Sequence, residues 1–340
     1  MNTLKCALAG AAIMLPASAM ADELNLICSA DVVICERLVT EFESSHPDTD
    51  VNMVRMSSGE AYAKIRAEAR NPQTDLWWGG TGDPHLQAGH DGLTAEYKSP
   101  MLAELQDWAQ GQAEVSDFRT VGVYSGALGW GYNKELFAEK GIAAPECWAD
   151  LLDPALKGEI QIADPNSSGT AYTTLATLVQ LMGEDEAFDF LKKMHANVSQ
   201  YTKSGSAPVK AAARGETGLG IVFQHDAVAQ AVSGFPIGVV APCEGTGYEI
   251  GSMSMIEGAQ NPEAAKTFYD WVLTAEVQNM MPEAGSFQIP SNASATPPEE
   301  APDLSTIKLI DYDFAEYGSA DRRKALLARW DDEIGSLPLQ

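Results

Sequence analysis

Hydroxyl-bearing residues and glycines follow several predicted strands, each directly before a predicted helix. They stand at residues 57–59, 79–82, 168–170 and 204–206, and Ser29 follows the first strand. A helix N-terminus presents free N–H groups and the positive end of its dipole, which suits an oxyanion. Helix capping or a simple turn explains any one of these segments alone. Their recurrence predicts an anion held by neutral donors, with candidate ligands Ser29, Ser57, Ser58, Thr81, Ser168, Gly169, Thr170 and Ser204.

Acidic residues and a histidine follow the later strands. His225 and Asp226 follow the strand predicted at 218–223, separated from it by Gln224, and both Glu244 and Glu249 lie in a glycine-rich loop predicted at 242–251. An aspartate accepts hydrogen bonds from two ligand hydroxyls or from an ammonium group, and a histidine can donate to an oxyanion. The alternative is that Asp226 caps the next helix and His225 is a surface residue. We expect His225, Asp226 and one of Glu244 and Glu249 to line a ligand site.

No residue pattern indicates catalysis or a metal. The sequence contains no GxSxG, HExxH, Walker or GxGxxG motif, so we predict neither catalytic residues nor a cofactor. Four cysteines follow residue 21, and no CxxC pair or close histidine accompanies them, which disfavours a metal site. An even number of cysteines in an exported protein favours disulfides, for which we predict the pairs Cys28–Cys35 and Cys147–Cys243.

Charge and the first residues restrict where the protein acts. The 340 residues contain 22 Lys and Arg against 48 Asp and Glu, a net charge of −26. This balance disfavours nucleic-acid binding and a basic membrane-surface helix. Residues 1–21 have a basic start, an apolar stretch and small residues ending in Ala21, as in a cleaved secretory signal peptide. No later run of 18 apolar residues occurs, so we predict an exported protein without a membrane anchor.

The elements that position these residues alternate between strand and helix, which predicts an α/β fold with mainly parallel sheets. A long apolar segment at 121–132 suits a strand that passes from one domain to another. We predict lobe 1 at 22–124 plus 250–340 and lobe 2 at 125–249. Ligands of such folds lie beyond the carboxyl ends of the strands. The predicted strands are 24–28, 51–56, 75–78, 159–163, 198–201, 218–223, 237–241 and 252–256, and one long helix is predicted at 262–280.

Several segments resemble one known family. They are WWGGTGDPHLQAGHDGL, ALGWGYNKELF, CWADLLDPALKGEIQIADPNSSGTAY, APCEGTGYEIG and NPEAAKTFYDWVLTAEVQ. Together they are similar to periplasmic substrate-binding proteins of ABC transporters, in the ferric-ion-binding-protein-like group. The resemblance implies a two-lobed type II binding protein, with sheets flanked by helices and joined by hinge strands. It also implies a monomer that closes over its ligand, does no chemistry and delivers the ligand to an inner-membrane permease.

The resemblance also implies a ligand class. Iron-binding members hold the metal with two adjacent tyrosines, and His225 and Asp226 stand at the matching positions here. The His-Asp pair and the YEIG segment resemble the hexose-phosphate-binding branch. That branch implies phosphate on the Ser/Thr/Gly helix starts and sugar hydroxyls on His225, Asp226 and Glu249. The alternatives are ferric iron, an aminoalkyl phosphonate and, from another class, a phosphate-ester hydrolase that uses His225 and Asp226 as acid and base.

Overall fold

The structure is a computed structural model that describes residues 22–339, so the predicted signal peptide lies outside the described residues. Ten strands form one sheet within this range. They are Asp22–Cys28 (β1), Thr49–Arg55 (β2), Leu76–Trp78 (β3), Val121–Asn133 (β4), Ile160–Ala163 (β5), Val198–Thr202 (β6), Leu219–Phe223 (β7), Ile237–Val240 (β8), Tyr248–Met255 (β9) and Ile289–Pro290 (β10).

Helices connect and flank these strands. The α-helices are Val32–Ser45 (α1), Ser58–Ala67 (α2), Gly82–His90 (α3), Asp107–Val115 (α4), Lys134–Lys140 (α5), Gly169–Met182 (α6), Glu184–His195 (α7), Ala207–Ala213 (α8), Gln224–Val232 (α9), Pro262–Val272 (α10), Ala275–Met280 (α11), Phe314–Tyr317 (α12) and Ala320–Trp330 (α13). Short 3-10 turns lie at Leu102–Glu104, Trp148–Leu152, Pro154–Leu156, Met281–Ala284 and Leu304–Thr306, and a π-turn lies at Asp331–Gly335. No helix within residues 22–339 combines the length and apolar character needed to cross a membrane.

The long strand β4 joins two groups of strands. The order in the sheet is β2-β1-β3-β9-β4-β7-β5-β6, with β8 and β10 also paired to β4. Pairing is parallel within β2-β1-β3 and within β7-β5-β6, and it is antiparallel at every pair involving β4 or β9. The first half of β4 pairs with β9 and the second half with β7 and β8. The predicted α/β class with two groups of strands is therefore confirmed.

Two large apolar clusters lie on the two sides of this junction. One packs α1, α4 and α10 against β1 and β3, and the other packs α6 and α7 against β5 and β7. Helix α10 buries Ala265, Phe268, Tyr269 and Val272, the spacing of one helical face. The division at 249/250 stays a prediction. The C-terminal helices α12 and α13, which that division assigns to lobe 1, bury Tyr317, Leu326 and Trp330 in the second cluster.

Two predicted elements have different bounds in the structure. The helix predicted at 262–280 is interrupted, because the Thr274 hydroxyl accepts a hydrogen bond from the Val277 backbone N–H and starts α11. Strand β9 begins at Tyr248, so Glu249 lies in a strand paired with Gly126 of β4 and not in a loop. The predicted loop position of Glu249 was wrong, because its pairing with β4 is a long-range contact that overrides the local glycines.

Both predicted disulfides are formed. Cys28 and Cys35 link the end of β1 to α1, and Cys147 and Cys243 link chain segments separated by 96 residues. A cross-link that closes a loop of this length removes about 4–5 kcal/mol of chain entropy from the unfolded state in the simplest account.

We expect the Cys147→Ala/Cys243→Ala double variant to lose about 4 kcal/mol of unfolding free energy, because its unfolded chain regains this freedom. Urea denaturation of the parent and the variant measures the difference. The Cys147→Ala single variant, compared with the parent under reducing conditions, measures the effect of losing the side chain when no disulfide is present in either protein. Equal stability of the oxidised parent and the double variant would contradict the expectation.

Candidate binding site

The polar residues predicted from the strand ends come together in one cleft. The cleft contains about 480 Å³ of space that protein atoms do not fill, open solvent included. Ten of the eleven predicted ligand residues line it: Ser29, Ser57, Ser58, Thr81, Ser168, Gly169, Thr170, His225, Asp226 and Glu249. The eleventh, Ser204, accepts a hydrogen bond at 3.2 Å from the guanidinium of Arg55, which itself lines the cleft.

The hydroxyl-rich set consists of Ser29, Ser57, Ser58, Thr81, Ser168, Gly169, Thr170 and Ser204, and it includes the starts of three helices. Ser57 precedes α2, Thr81 precedes α3, and Ser168 precedes α6. Among the described residues the buried Thr81 hydroxyl has no hydrogen-bond partner, so it is available to a bound molecule. Gly80 has φ +82°, and a Cβ there would lie 2.2 Å from the Ser58 hydroxyl. Only glycine fits this close approach without strain.

Arg55 adds a cation to this set. Its Nε donates to the Ala30 carbonyl at 3.0 Å, and Nη1 donates to the Ser57 hydroxyl at 3.2 Å. The neutral donors predicted from the sequence are therefore joined by a guanidinium in the lining of the cleft. Arg55 is the last residue of β2, two positions before Ser57, and its place at the carboxyl end of a strand is the signal available in the sequence. A guanidinium fixed by three acceptors presents a preorganised positive charge.

The hydroxyl-rich set is shared between the two groups of strands. The Gly59 backbone N–H donates to the Ser167 carbonyl at 3.0 Å, and Arg55 reaches from β2 to Ser204, which follows β6. A Cβ on Gly59 would lie 2.2 Å from the Asn166 carbonyl oxygen, so a side chain at 59 would force the two sides apart. Ser57, Ser58, Thr81 and Ser168 are each less than 5% exposed, so these side chains lie deep in the cleft.

The carboxylate set consists of His225, Asp226 and Glu249. The His225 Nε2 atom lies 3.6 Å from a Glu249 oxygen and 3.9 Å from an Asp226 oxygen. The Gln288 amide donates to the same nitrogen at 3.3 Å. Among residues 22–339 neither carboxylate receives a hydrogen bond, so both remain available as acceptors. This set can receive several hydroxyl donors or one ammonium group.

Burial controls the ionisation of the carboxylate set. It raises the pKa of Asp226 to about 7, and the nearby Asp31 carboxylate raises it further against Lys210 and Arg55. Burial also raises the pKa of Glu249 well above its ordinary value, with Asp226 as the next cause. It lowers the pKa of His225 to about 3, so the imidazole is neutral at neutral pH. The set therefore carries less negative charge than its composition suggests.

Several residues of the cleft were not predicted. Tyr124 of β4 lies between the two sets, where its hydroxyl accepts the Gly80 backbone N–H at 2.7 Å. Asp31 forms an ion pair with Lys210 across the cleft. Their strands and loops are distant in sequence from the residues they contact, so no local pattern indicates them. The further unpredicted lining residues are Ala30, Ile34, Arg55, Phe223 and Gln288. Gly80, Gly205 and Ser206 also line the cleft and lie within the predicted segments 79–82 and 204–206.

The arrangement suits binding and not catalysis. Within the described residues one group of three acidic or sulfur side chains is close enough to hold a metal: Cys147, Cys243 and Glu244. It lies outside the cleft, and its two sulfurs are joined in a disulfide. A disulfide sulfur is not the thiolate that binds metals. The cleft itself offers fixed donors to an anion and acceptors to hydroxyl or ammonium donors.

Comparisons with known proteins agree with this description. A family model described as bacterial extracellular solute-binding protein matches residues 85–317. An uncharacterized protein of Haemophilus influenzae is 47% identical over 313 residues, which are 92% of this chain and 90% of the relative.

Two solved structures are similar over nearly the whole chain. The periplasmic binding protein AfuA from Actinobacillus pleuropneumoniae, with exogenous fructose-6-phosphate bound, is 47% identical, with a TM-score of 0.90. The similarity covers 93% of this chain and 99% of AfuA. The periplasmic binding protein P5PA is 40% identical, with a TM-score of 0.89, over 92% of this chain and 99% of P5PA.

Proposed function

The chain belongs to the bacterial extracellular solute-binding protein family, the non-enzymatic binding components of ABC importers, and we propose that its ligand is a sugar phosphate. Members of the family work in the periplasm with an inner-membrane permease. In the proposal the protein binds a hexose phosphate in the cleft and delivers it to that permease. The similarity to AfuA, whose structure contains fructose-6-phosphate, supports this ligand class.

The observation that carries the proposal is the pairing of two unlike sets in one cleft. Arg55 and the hydroxyls of Ser57, Ser168 and Thr170 match the oxygens of a phosphate group. Asp226 and Glu249, with the neutral His225, match the hydroxyls of a sugar. A phosphate without a sugar would leave the buried carboxylates unpaired, which is unfavourable. A sugar without a phosphate would leave Arg55 unpaired by the ligand.

Isothermal calorimetry with five compounds tests the proposal: fructose 6-phosphate, glucose 6-phosphate, fructose, inorganic phosphate and 2-aminoethylphosphonate. We expect a hexose 6-phosphate to bind with a Kd of about 1 μM or lower, equivalent to about −8 kcal/mol. Fructose and inorganic phosphate should each bind at least about 100-fold more weakly, because each satisfies one set only. A tighter Kd for 2-aminoethylphosphonate would favour the aminoalkyl phosphonate, and absence of binding by both hexose phosphates would reject the proposal.

Ferric iron is the alternative that the cleft disfavours. Among the described residues that line it, Tyr124 is the one tyrosine, and burial raises the pKa of its hydroxyl well above the ordinary value. A phenolate ligand is therefore disfavoured at this position.

We expect no visible phenolate-to-iron absorption band when ferric citrate is added to the purified protein, because the described lining of the cleft offers Tyr124 and no second tyrosine. Absorption spectra before and after addition of a chelator check this. A band that appears with ferric citrate and disappears with the chelator would restore iron as the ligand.

A further inference from the structure

A second cavity adjoins the cleft at the carboxylate set. We call it the outer chamber, and it contains about 930 Å³ of space that protein atoms do not fill, solvent included. It shares five lining residues with the cleft: Asp31, Ile34, Ser206, His225 and Asp226. Neither Arg55 nor any member of the hydroxyl-rich set lines it. A molecule whose phosphate occupies the hydroxyl-rich set would therefore approach the outer chamber with its other end.

Helix α9 connects the two spaces along one face. His225 and Asp226, in its first turn, line both. Ala229 and Val232, at helical spacings of four and seven from His225, line the outer chamber alone. The same helix therefore presents a continuous wall from the carboxylate set outward.

The boundary between the two spaces is formed partly by side chains. Asp31, which lines both, is paired with Lys210, which lines the outer chamber alone. The side chains of this pair are 17% and 35% exposed, so the pair is accessible from the solvent side. Rearrangement of a partly exposed ion pair costs little, because such pairs are weak.

The walls of the outer chamber have the mixed character of a sugar subsite. Val33 of α1 and Val232 of α9 face it from the two sides and are 56% and 52% exposed. Phe287 adds a buried aromatic ring, and Gln230 and Glu283 add polar groups. A sugar ring covers apolar side chains with its C–H faces and satisfies polar groups with its hydroxyls.

We propose that the outer chamber is a subsite for a second sugar ring, so that the substrate class includes phosphorylated disaccharides. The inference rests on the proposed function, because the phosphate and the first ring must occupy the cleft. In this arrangement the first ring contacts His225 and Asp226, and the second ring lies between Val33 and Val232.

Matched ligand pairs and one filling substitution test the subsite by calorimetry. The pairs are glucose 6-phosphate with trehalose 6-phosphate, and fructose 6-phosphate with sucrose 6F-phosphate. Val232→Trp places a large side chain in the outer chamber at an exposed position. Val115→Trp is the control, because Val115 is 68% exposed and lines neither space.

We consider each ligand pair whose monosaccharide phosphate binds to the parent protein. For such a pair, we expect the parent and the Val115→Trp variant to bind the disaccharide phosphate as well. Val232→Trp should weaken the disaccharide phosphate about tenfold or more and leave the monosaccharide phosphate within about twofold. A disaccharide phosphate that does not bind, or that Val232→Trp leaves unchanged, would overturn the subsite while the proposed function stands. If neither monosaccharide phosphate binds, the proposed function fails and the subsite with it.

Discussion

Replacement of Arg55 by methionine is expected to weaken hexose 6-phosphate binding by about 100-fold or more. Methionine has a similar length and no charge, so the cleft loses the cation within its hydroxyl-rich set. Each charge-assisted hydrogen bond to a phosphate oxygen contributes about 1.5–3 kcal/mol, and a guanidinium can form two. The expected loss is then about 3–6 kcal/mol, which calorimetric titration of parent and variant measures.

Two controls separate binding from folding in this experiment. Arg55 also holds Ser57 and Ser204, so its loss can loosen the cleft. Arg55→Lys keeps the positive charge and loses the planar guanidinium group. We expect its affinity for hexose 6-phosphate to lie between those of the parent and Arg55→Met. Arg70→Met removes a charge from an exposed turn and should bind as the parent does. A parent-like Kd for Arg55→Met would show that the phosphate does not contact this residue.

The sequence was sufficient to predict the ends of the strands that build the cleft. Ser57, Ser168 and Thr170 each follow a strand and begin a helix, and the carboxyl ends of parallel strands lie at one edge of a sheet. The position of a residue at the end of a parallel strand was therefore enough to predict that residues distant in sequence line the same cleft. Spacing also indicated the cysteine pairs, because each lies beside a turn or a proline-containing loop.

The other features of the cleft depend on long-range contacts, which local sequence patterns do not indicate. The glycines around Glu249 favour a loop, yet its strand pairs with β4 more than 120 positions earlier. Tyr124 lies in the middle of a long strand and reaches Gly80 only because β4 crosses the sheet beside β9. For Arg55 the sequence carries one signal, its place at the carboxyl end of β2. The three acceptors that fix its guanidinium come from distant parts of the folded chain, which no local pattern indicates.

Asp226→Asn is expected to weaken hexose 6-phosphate binding by about 10- to 100-fold and to leave inorganic phosphate binding equal or tighter. The substitution keeps the shape of the side chain and removes an ionised acceptor, and hydrogen bonds to charged groups contribute about 1.5–3 kcal/mol. Inorganic phosphate brings no sugar hydroxyls and gains from the lost negative charge. Asp50→Asn is the matched control, because Asp50 is exposed on β2. Equal hexose phosphate affinity for parent and Asp226→Asn would make Asp226 a structural residue only.

The pH dependence of the same variant distinguishes a charged acceptor from a neutral one. In the free protein burial raises the pKa of Asp226 to about 7, with Asp31 raising it further and Lys210 and Arg55 lowering it. Sugar hydroxyls that donate to the ionised form lower this pKa in the complex, so binding releases a proton. Affinity of the parent should therefore rise as the pH increases towards 7 and level off above it.

The ligand's own second ionisation, near pH 6, acts in the same direction and remains in Asp226→Asn. The expected result is a steeper rise for the parent than for the variant in calorimetric titrations from pH 5.5 to 8, and coincident profiles would contradict it.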